Sequence, residues 1–280
     1  MPPGARIGVL DSGVGGLSVL REIHRLLPDC PTLYFADQFH LPYGPRDPEQ
    51  ISAFVTAITR FLIERGAAVV VVACNAASAA SLFDLRAQYP HIPIVGMEPA
   101  VKPAVEATRS GVIGVLTTQA TAEGTLYRRV LARYASNVRV ITQVAPELVR
   151  IVEENSQHAP GSRRIIRGYV QPLLDAGADQ IALACTHFPF LWDAIQEIAG
   201  PDVHLIDPGP AIARQTARVW PAGVAPAPGE HTYYTSGDAW KLRSMLNVLA
   251  DVDAPVTPVR WLSDGELQVG EASPDPVSGE

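Results

Sequence analysis

The chain has 280 residues, of which 47% are hydrophobic and 18% charged, with a formal net charge of −7 and a sequence pI near 5.5. This composition is typical of a globular protein with a sizeable core, and it excludes the disordered and fibrous classes. The acidic balance argues against a nucleic-acid partner, because a phosphate backbone is bound by a basic surface.

Short apolar runs recur along the chain and alternate with stretches of helical periodicity. The runs lie near residues 7–10, 32–36, 68–73, 92–96, 112–116, 138–142, 179–184 and 203–206. Between the first two runs, Leu17, Leu20, Ile23 and Leu27 recur at helical spacing, and Asp47-Pro48 is typical of a helix start. This alternation predicts an α/β fold with parallel sheets that are covered by helices on both faces.

The chain changes character after residue 221. Residues 221–230 form a proline- and glycine-rich linker, and residues 231–246 predict one strand followed by one helix. The tail from about Asp264 is acidic and has few large apolar residues. We therefore expect residues 265–280 to be disordered.

Two pairs of similar segments indicate an internal duplication. The run Ile7-Gly8-Val9-Leu10 resembles Ile113-Gly114-Val115-Leu116, and Cys74, which ends VVVVAC, resembles Cys185, which ends QIALAC. Nearly the same number of residues separates the members of each pair, which is what two similar α/β units would give.

The duplication predicts two similar, pseudo-symmetric α/β domains with the active site in the cleft between them. We place the first domain at residues 1–98 together with 208–264, and the second at residues 99–207. The first domain is then discontinuous in the sequence.

The segment Asp11-Ser12-Gly13-Val14-Gly15-Gly16 connects the first predicted strand to a helix. Glycines there permit a tight turn, and the N–H groups of a helix N-terminus favour an anion. The spacing differs from G-x-G-x-x-G, so a dinucleotide site is not supported. The segment predicts either a site for a small carboxylate-bearing ligand or a plain glycine-rich turn with Asp11 as its cap.

Cys74 and Cys185 each follow a run that reads as a buried parallel strand. Ligands of α/β sheets bind outside the carboxyl ends of such strands. Asn75 follows the first thiol and Thr186-His187 the second, and thiols beside polar groups can be activated. We interpret both as functional, with two inert buried cysteines as the alternative.

Two thiols that face one cleft suit a reaction that inverts a carbon centre, because one can remove a proton from one face while the other delivers a proton to the opposite face. Asp11 near Cys74 and His187 near Cys185 are candidates for tuning the thiols. A zinc site of Cys74, Cys185 and His187, with Asp11 or Glu153 as fourth ligand, is a weaker alternative, because the spacing is not a usual zinc pattern.

The sequence also predicts where the protein works. Its first residues lack the basic and long apolar segments of a signal peptide, and no apolar run reaches the ~18 residues of a membrane span. The three cysteines are widely spaced and odd in number, which is no disulfide framework. We expect a cytoplasmic protein without membrane or nucleic-acid partners, and the sequence leaves a homodimer open.

A series of segments covers almost the whole chain in the order of one known family. The segments are IGVLDSGVGGLSVLREI (7–23), YFAD (34–37), LPYGPR (41–46), VVACNAAS (71–78), PIVGMEPAV (93–101), APELVRIVEE (145–154), ACTHFPFL (184–191), IDPGPAIA (206–213) and YYTSGD (233–238). Together they resemble the glutamate racemases of the aspartate/glutamate racemase superfamily.

The resemblance implies a cofactor-independent isomerase that acts on glutamate, needs no metal, and supplies D-glutamate for peptidoglycan and so for cell shape. It implies that Cys74 and Cys185 are catalytic acid/bases, one for each enantiomer's α-proton. Asp11 and His187 would assist the thiols, with Glu153 as a further contributor. The residues that it implies for substrate binding are Asp11, Ser12, Tyr43, Gly44, Asn75, Ala76, Thr186 and His187.

One residue departs from the family pattern at the substrate site. The family usually has Cys-Asn-Thr where this chain has Cys74-Asn75-Ala76. A lost hydrogen bond to a charged group costs about 1.5–3 kcal/mol, or roughly ten- to a hundredfold in binding. Aspartate or another acidic amino acid therefore stays open as the substrate. A non-catalytic binding or regulatory protein is a further alternative, against which the retention of both thiols argues.

Overall fold

The computed structural model describes residues 5–270, which form two β-sheets with helices packed on both faces. The strands are β1 (Arg6–Asp11), β2 (Thr32–Ala36), β3 (Ala67–Val72), β4 (Ile94–Gly96), β5 (Val112–Thr117), β6 (Arg139–Val144), β7 (Gln180–Ala184), β8 (His204–Ile206), β9 (Thr232–Thr235), β10 (Val256–Trp261) and β11 (Leu267–Val269). The helices are α1 (Leu17–Leu26), α2 (Pro48–Glu64), α3 (Asn75–Gln88), α4 (Val101–Ala107), α5 (Gln119–Glu123), α6 (Thr125–Tyr134), α7 (Pro146–Glu153), α8 (Ser162–Asp175), α9 (Trp192–Ala199), α10 (Gly209–Val219) and α11 (Ala239–Ala250). Among residues 5–270, no helix is both long enough and apolar enough to cross a membrane.

The larger sheet has seven strands in the order β11-β10-β9-β2-β1-β3-β4. All neighbours are parallel except β10 and β11, which are antiparallel. Side chains alternate across this sheet, as the period of two in a strand requires. Val69 and Val71 of β3 belong to the core cluster that includes α1, α10 and α11, whereas Val70 and Val72 belong to the cluster with α2 and α3.

The smaller sheet has four parallel strands in the order β6-β5-β7-β8. The first four strands of the larger sheet have the equivalent order, β2-β1-β3-β4. The predicted pair of similar α/β units is therefore confirmed, with β1 equivalent to β5 and β3 equivalent to β7. Each apolar run that was predicted between residues 7 and 206 forms a strand.

Sheet membership supports the predicted domain division, which itself stays a prediction. The strands of residues 6–96 and 232–269 form one sheet, and those of residues 112–206 form the other. One hydrophobic cluster nevertheless runs through both halves, from Ile7 and Val14 to Leu148 and Leu183. Apolar side chains of the two halves are thus packed together in this one cluster.

The expectation of a disordered tail is wrong for its first residues. Residues 263–264 lie in a turn and residue 265 in a bend, and β11 pairs antiparallel with β10 through Val259↔Val269 and Trp261↔Leu267. These residues are ordered because the backbone hydrogen bonds of a hairpin do not depend on large apolar side chains. The remainder of the predicted tail, residues 271–280, lies outside the described residues.

Two stacked histidines lie between helix α1 and strand β9. The ring centroids of His24 and His231 are 3.9 Å apart with 22° between the ring planes. The backbone N–H of Thr32 donates to Nδ1 of His231 at 3.1 Å, so that nitrogen carries no proton. Burial, with a smaller contribution from the neighbouring His231, lowers the pKa of His24 to about 4.

This stack predicts a loss of stability in mild acid. The unfolded chain takes up a proton on His24 near pH 6.5, whereas the folded protein does so near pH 4. The free energy of unfolding therefore falls as the pH drops between these values, by about 2 kcal/mol once partial solvent exposure is allowed for. Urea unfolding at pH 6.5 and pH 4 should show a smaller loss for His24→Gln than for the wild type. The exposed control His204→Gln should lose as much as the wild type, and an equal loss in His24→Gln would contradict the assignment.

Candidate active site

A cavity of about 290 Å³ lies where the carboxyl ends of strands from both sheets meet. Its walls are formed by residues of both halves of the chain. The lining residues are Ser12, Leu41, Pro42, Tyr43, Gly44, Pro45, Cys74, Asn75, Ala76, Thr118, Gln119, Val144, Pro146, Val149, Cys185, Thr186 and His187. The predicted substrate-binding residues thus all line one cavity, with Asp11 as the exception.

Both predicted thiols line this cavity from equivalent strands. Cys74 follows β3 and is the N-cap of α3, and Cys185 follows β7 just before a short 3₁₀ helix, Phe188–Leu191. Both are free and buried, with 6% and 7% of their surface exposed. The repeated topology therefore brings one sulfur to the cavity from each sheet.

The surroundings of Cys74 favour the protonated thiol. Burial raises the pKa of Cys74 well above its ordinary value, and the charges of Asp11 and Cys185 raise it further. The backbone N–H of Ala77 and the Ser12 hydroxyl, whose oxygen lies 3.9 Å from Sγ, oppose this shift. Cys74 is thus the sulfur that holds a proton in this arrangement.

The surroundings of Cys185 are different, because a histidine and a glutamate lie behind it. Nδ1 of His187 is 3.7 Å from the Cys185 sulfur, and Nε2 is 2.7 Å from Oε1 of Glu153. Burial lowers the pKa of His187, but its contacts with Cys185 and Glu153 outweigh burial and hold that pKa well above the ordinary value. A protonated His187 favours negative charge on the Cys185 sulfur.

Glu153 joins the two halves as well as supporting His187. The backbone N–H of Val14, in the glycine segment after β1, donates to the same Oε1 at 2.8 Å. Burial raises the pKa of Glu153, yet the hydrogen bonds and charge of His187 and the Val14 N–H lower it below the ordinary value overall. Glu153 does not line the cavity itself and instead contacts His187, which does.

Asp11 differs from the prediction that it lines the substrate. It ends β1, is fully buried, and turns its Oδ2 back to accept from the backbone N–H of Gly16 at 2.7 Å. Burial raises its pKa above the ordinary value, although the charge of His187 opposes this. Asp11 thus lies near Cys74, where its negative charge raises the pKa of the thiol, and one of its oxygens is held by the backbone at the start of α1.

Asn75 is a buried residue of the cavity wall whose side-chain amide makes no hydrogen bond. It is 3% exposed, and neither its amide oxygen nor its amide nitrogen has a hydrogen-bond partner. Buried polar groups are satisfied in nearly all proteins, so an orphaned amide in a cavity wall indicates a polar ligand. Ala76 beside it contributes only a methyl group.

Sequence reasoning missed several residues of the site. Thr118 and Gln119 line the cavity from the second half. The sequence does carry a signal for Thr118, because Thr117 ends β5 and Thr118 follows it, as Asp11 ends β1 and Ser12 follows it. The apolar wall of Val144, Pro146 and Val149 is not predicted as part of the site, although two of these residues lie in the segment 145–154, since apolar residues carry no chemical signature.

The site does not assemble the zinc ligands of the alternative reading. Within residues 5–270, no group of three or more histidine, cysteine, aspartate and glutamate side chains is arranged to hold a metal ion. Cofactor independence stays a prediction.

Residues 7–216 match the family model described as Asp/Glu/Hydantoin racemase, which covers most of the chain. The protein is therefore an isomerase of the racemase class. Relatives narrow this class: the glutamate racemase of Ectopseudomonas mendocina strain ymp is 48% identical over 255 residues, covering 90% of this chain and 97% of the relative. That of Roseiflexus sp. strain RS-1 is 48% identical over 248 residues, covering 87% and 91%.

Solved structures agree with the sequence relatives. Escherichia coli glutamate racemase in complex with L-glutamate and the activator UDP-MurNAc-Ala is similar with a TM-score of 0.83 and 32% identity, covering 96% of this chain and 100% of that one. A glutamate racemase isoform from Bacillus anthracis has a TM-score of 0.82 and 30% identity, covering 90% and 96%. This chain belongs to the glutamate racemase family.

Proposed function

We propose that this protein interconverts L- and D-glutamate without a cofactor, with Cys74 and Cys185 as opposed acid/bases. The observation that carries the proposal is that the two sulfurs line one cavity from equivalent strands of two sheets. A stereocentre held between them would present one face to each sulfur. The names of the relatives support glutamate as the substrate.

The proposed chemistry moves two protons and no other atoms. One sulfur, as thiolate, takes the α-proton, so the C–H bond breaks and its electron pair stays on the α-carbon. The other sulfur, as thiol, gives its proton to the opposite face and forms the new C–H bond. Each sulfur ends in the protonation state in which the other began, and the reverse reaction starts from that state.

The unequal environments of the sulfurs define the starting state of the proposal. Cys74 holds a proton because its pKa is raised, and the cationic His187 stabilises a thiolate at Cys185. In this state, Cys185 is the base and Cys74 the acid. The opposite enantiomer requires the proton to be on Cys185, and release of that proton is assisted by the His187–Glu153 pair.

Substrate recognition in the proposal uses the polar groups of the cavity wall. The unpartnered amide of Asn75 can donate to a carboxylate and accept from an ammonium group. Backbone N–H groups at the start of α3 favour an anion for the same reason as any helix N-terminus. These groups fit a substrate that carries carboxylates and an amine.

The proposal extends to the protein's biological role. The family resemblance supports a role in supplying D-glutamate for peptidoglycan. Three free, buried cysteines fit a reducing compartment, which supports a cytoplasmic location. A strain that lacks this protein should then need external D-glutamate for growth.

Optical activity tests the substrate assignment. The purified protein is incubated separately with L-glutamate and L-aspartate, and the circular dichroism of each amino acid is followed. We expect the glutamate signal to decay to zero and the aspartate signal to persist. Decay with aspartate alone would contradict glutamate as the substrate, and no decay with either would favour a non-catalytic protein.

Restoring a hydroxyl beside Asn75 tests whether Ala76 limits binding. Ala76→Thr should lower KM for glutamate by about tenfold, because it adds a hydrogen bond to a charged group. Ala80→Thr, on the same helix but outside the cavity, controls for the cost of threonine in a helix. An unchanged KM in Ala76→Thr would mean that other groups already satisfy that carboxylate.

A further inference from the structure

A buried carboxylate outside the cavity makes an unusual number of hydrogen bonds. Asp37, immediately after β2, is fully buried. Its Oδ2 accepts from the Tyr43 hydroxyl at 2.7 Å and contacts Nδ1 of His40 at 2.9 Å. Its Oδ1 accepts from the Ser236 hydroxyl at 2.7 Å and from Nε1 of Trp261 at 2.8 Å. These five residues are the Asp37 cluster, in which all four lone-pair sites of the carboxylate are used.

The Asp37 cluster connects the cavity wall to the C-terminal strands. Tyr43 lines the cavity, whereas Ser236 follows β9 and Trp261 ends β10. Burial, the negative charge of Asp37 and the hydrogen bond to it keep the pKa of Tyr43 well above its ordinary value, so the hydroxyl stays a donor. One carboxylate therefore ties the cavity wall to residues that lie 199 and 224 positions further along the chain.

The far end of the same wall is held from the opposite half. The backbone N–H of Ala120, in α5, donates to the carbonyl of Gly44 at 3.1 Å. The two adjacent wall residues are thus each held by a hydrogen bond: Tyr43 by the Asp37 cluster and Gly44 by α5. A change in the Asp37 cluster would therefore shift the Tyr43 ring relative to the thiols.

Trp261 is itself fixed by aromatic packing. Its ring lies edge-on to His40 at 4.9 Å and to Phe54 at 5.7 Å between centroids. His40 stacks on Phe54 at 3.7 Å with 8° between the planes. The indole N–H therefore points at Asp37 from a rigid base, as positioning of a reactive or binding group requires.

The duplication gives this arrangement to one half alone. Strands β9–β11 extend the larger sheet beyond β2, whereas the equivalent strand β6 is the edge of the smaller sheet. Strands β2 and β6 occupy equivalent positions in their sheets, but only β2 has a further strand, β9, paired with its outer side. The C-terminal strands therefore supply Asp37 with two hydrogen-bond donors, Ser236 and Trp261, that the repeated unit lacks.

We propose that Trp261 and Ser236 are positioning residues for the substrate site. They hold one oxygen of Asp37, so that its other oxygen fixes the Tyr43 hydroxyl and with it the Tyr43-Gly44 wall of the cavity. This inference rests on the proposed function, because it assigns the wall to glutamate binding. It makes the C-terminal strands part of the binding apparatus rather than an extension of the core.

The test removes one donor at a time and measures glutamate kinetics. Trp261→Phe keeps an aromatic ring but loses the N–H, and Ser236→Ala loses the hydroxyl. Each should raise KM by about five- to tenfold, the effect of a weakened hydrogen bond to a charged group, while kcat stays within about twofold. Ser236→Thr, which keeps a hydroxyl, should retain the wild-type KM. Trp240→Phe is the matched control, because that ring lies against Arg243 and not against Asp37.

A double-mutant cycle separates positioning from mere structural support. If Trp261 acts through the tyrosine hydroxyl, Trp261→Phe should not raise KM further in a Tyr43→Phe background. Fully additive effects, or an unchanged KM in both Trp261→Phe and Ser236→Ala, would overturn the inference. If Trp261→Phe does not fold, the cycle is run with Ser236→Ala, which removes the other donor to the same carboxylate oxygen.

Failure of the inference is distinguishable from failure of the proposed function. The wild-type enzyme alone decides whether glutamate is racemised, and the KM comparison is made among enzymes that do racemise it. If the wild type racemises another acidic amino acid, the same variants are compared on that substrate, where unchanged KM values overturn the inference.

Discussion

Replacing Cys74 or Cys185 singly by serine is expected to lower glutamate racemisation by about a thousandfold or more. A serine hydroxyl is too weak an acid to exchange a proton with the α-carbon at neutral pH, and a positioned acid/base contributes about 10²–10⁴-fold. The exchange of sulfur for oxygen is nearly isosteric, so the fold should be retained. Turnover of L-glutamate and of D-glutamate is measured for both variants.

The third cysteine provides the control for this experiment. Cys30 is buried and does not line the cavity. Cys30→Ser should keep wild-type turnover, with circular dichroism spectra and unfolding midpoints comparable in all three variants. If either Cys74→Ser or Cys185→Ser keeps turnover within tenfold of the wild type, the two-thiol mechanism is wrong.

Adding one methyl group at Gly15 is expected to lower kcat by about a hundredfold. A Cβ there would lie 2.4 Å from Nδ1 of His187 and 2.5 Å from Oγ1 of Thr186. Neither distance is tolerable, so the histidine must leave the position from which it faces the Cys185 sulfur. Misplacement of a reacting group by about 1 Å can cost 10²-fold.

A second glycine serves as the control for Gly15→Ala. Gly168 lies inside α8, and a Cβ there would meet nothing within 4 Å. Gly168→Ala should leave kcat and KM unchanged and raise stability by about 0.5–1 kcal/mol, the usual gain of alanine over glycine in a helix. A wild-type kcat in Gly15→Ala would contradict the claim that turnover requires His187 in its position beside the Cys185 sulfur.

The two sulfurs are equivalent by topology but not by environment. Cys74 has a hydroxyl and the buried Asp11 nearby, whereas Cys185 has the His187–Glu153 pair. The chain ends β1 with Asp11 where the equivalent strand β5 ends with Thr117. The two halves thus surround their sulfurs with different polar and charged groups, which two identical halves would not do.

The parts of the fold that the sequence predicts are those with a local signal. The eight strands between residues 6 and 206 are short apolar runs, and a buried parallel strand has that pattern. Strand β10 was missed because Pro258 and Arg260 interrupt any apolar run, and its pairing depends on β9. Strand β11 was missed because a two-strand hairpin at an exposed edge needs little hydrophobicity.

The parts of the site that the sequence does not predict depend on contacts between distant residues. The thiols were found because each ends a strand and the two patterns repeat. Nothing local indicates that Glu153 binds the backbone of Val14, 139 residues away. Likewise, Asp37 meets Ser236 and Trp261 only because β9 and β10 extend the sheet beside β2.

Deuterium labelling during the first turnovers tests the two-sulfur proposal most directly. L-Glutamate with protium at the α-carbon is incubated with the enzyme in deuterated water, and both enantiomers are separated and analysed by mass spectrometry at low conversion. In the proposed mechanism, one sulfur removes the proton and the other, whose own proton has already exchanged with solvent, delivers deuterium. The D-glutamate formed should therefore be almost fully deuterated at the α-carbon, while the recovered L-glutamate keeps its protium. D-Glutamate that retains the original proton would mean that a single group both removes and returns it, and would contradict the mechanism.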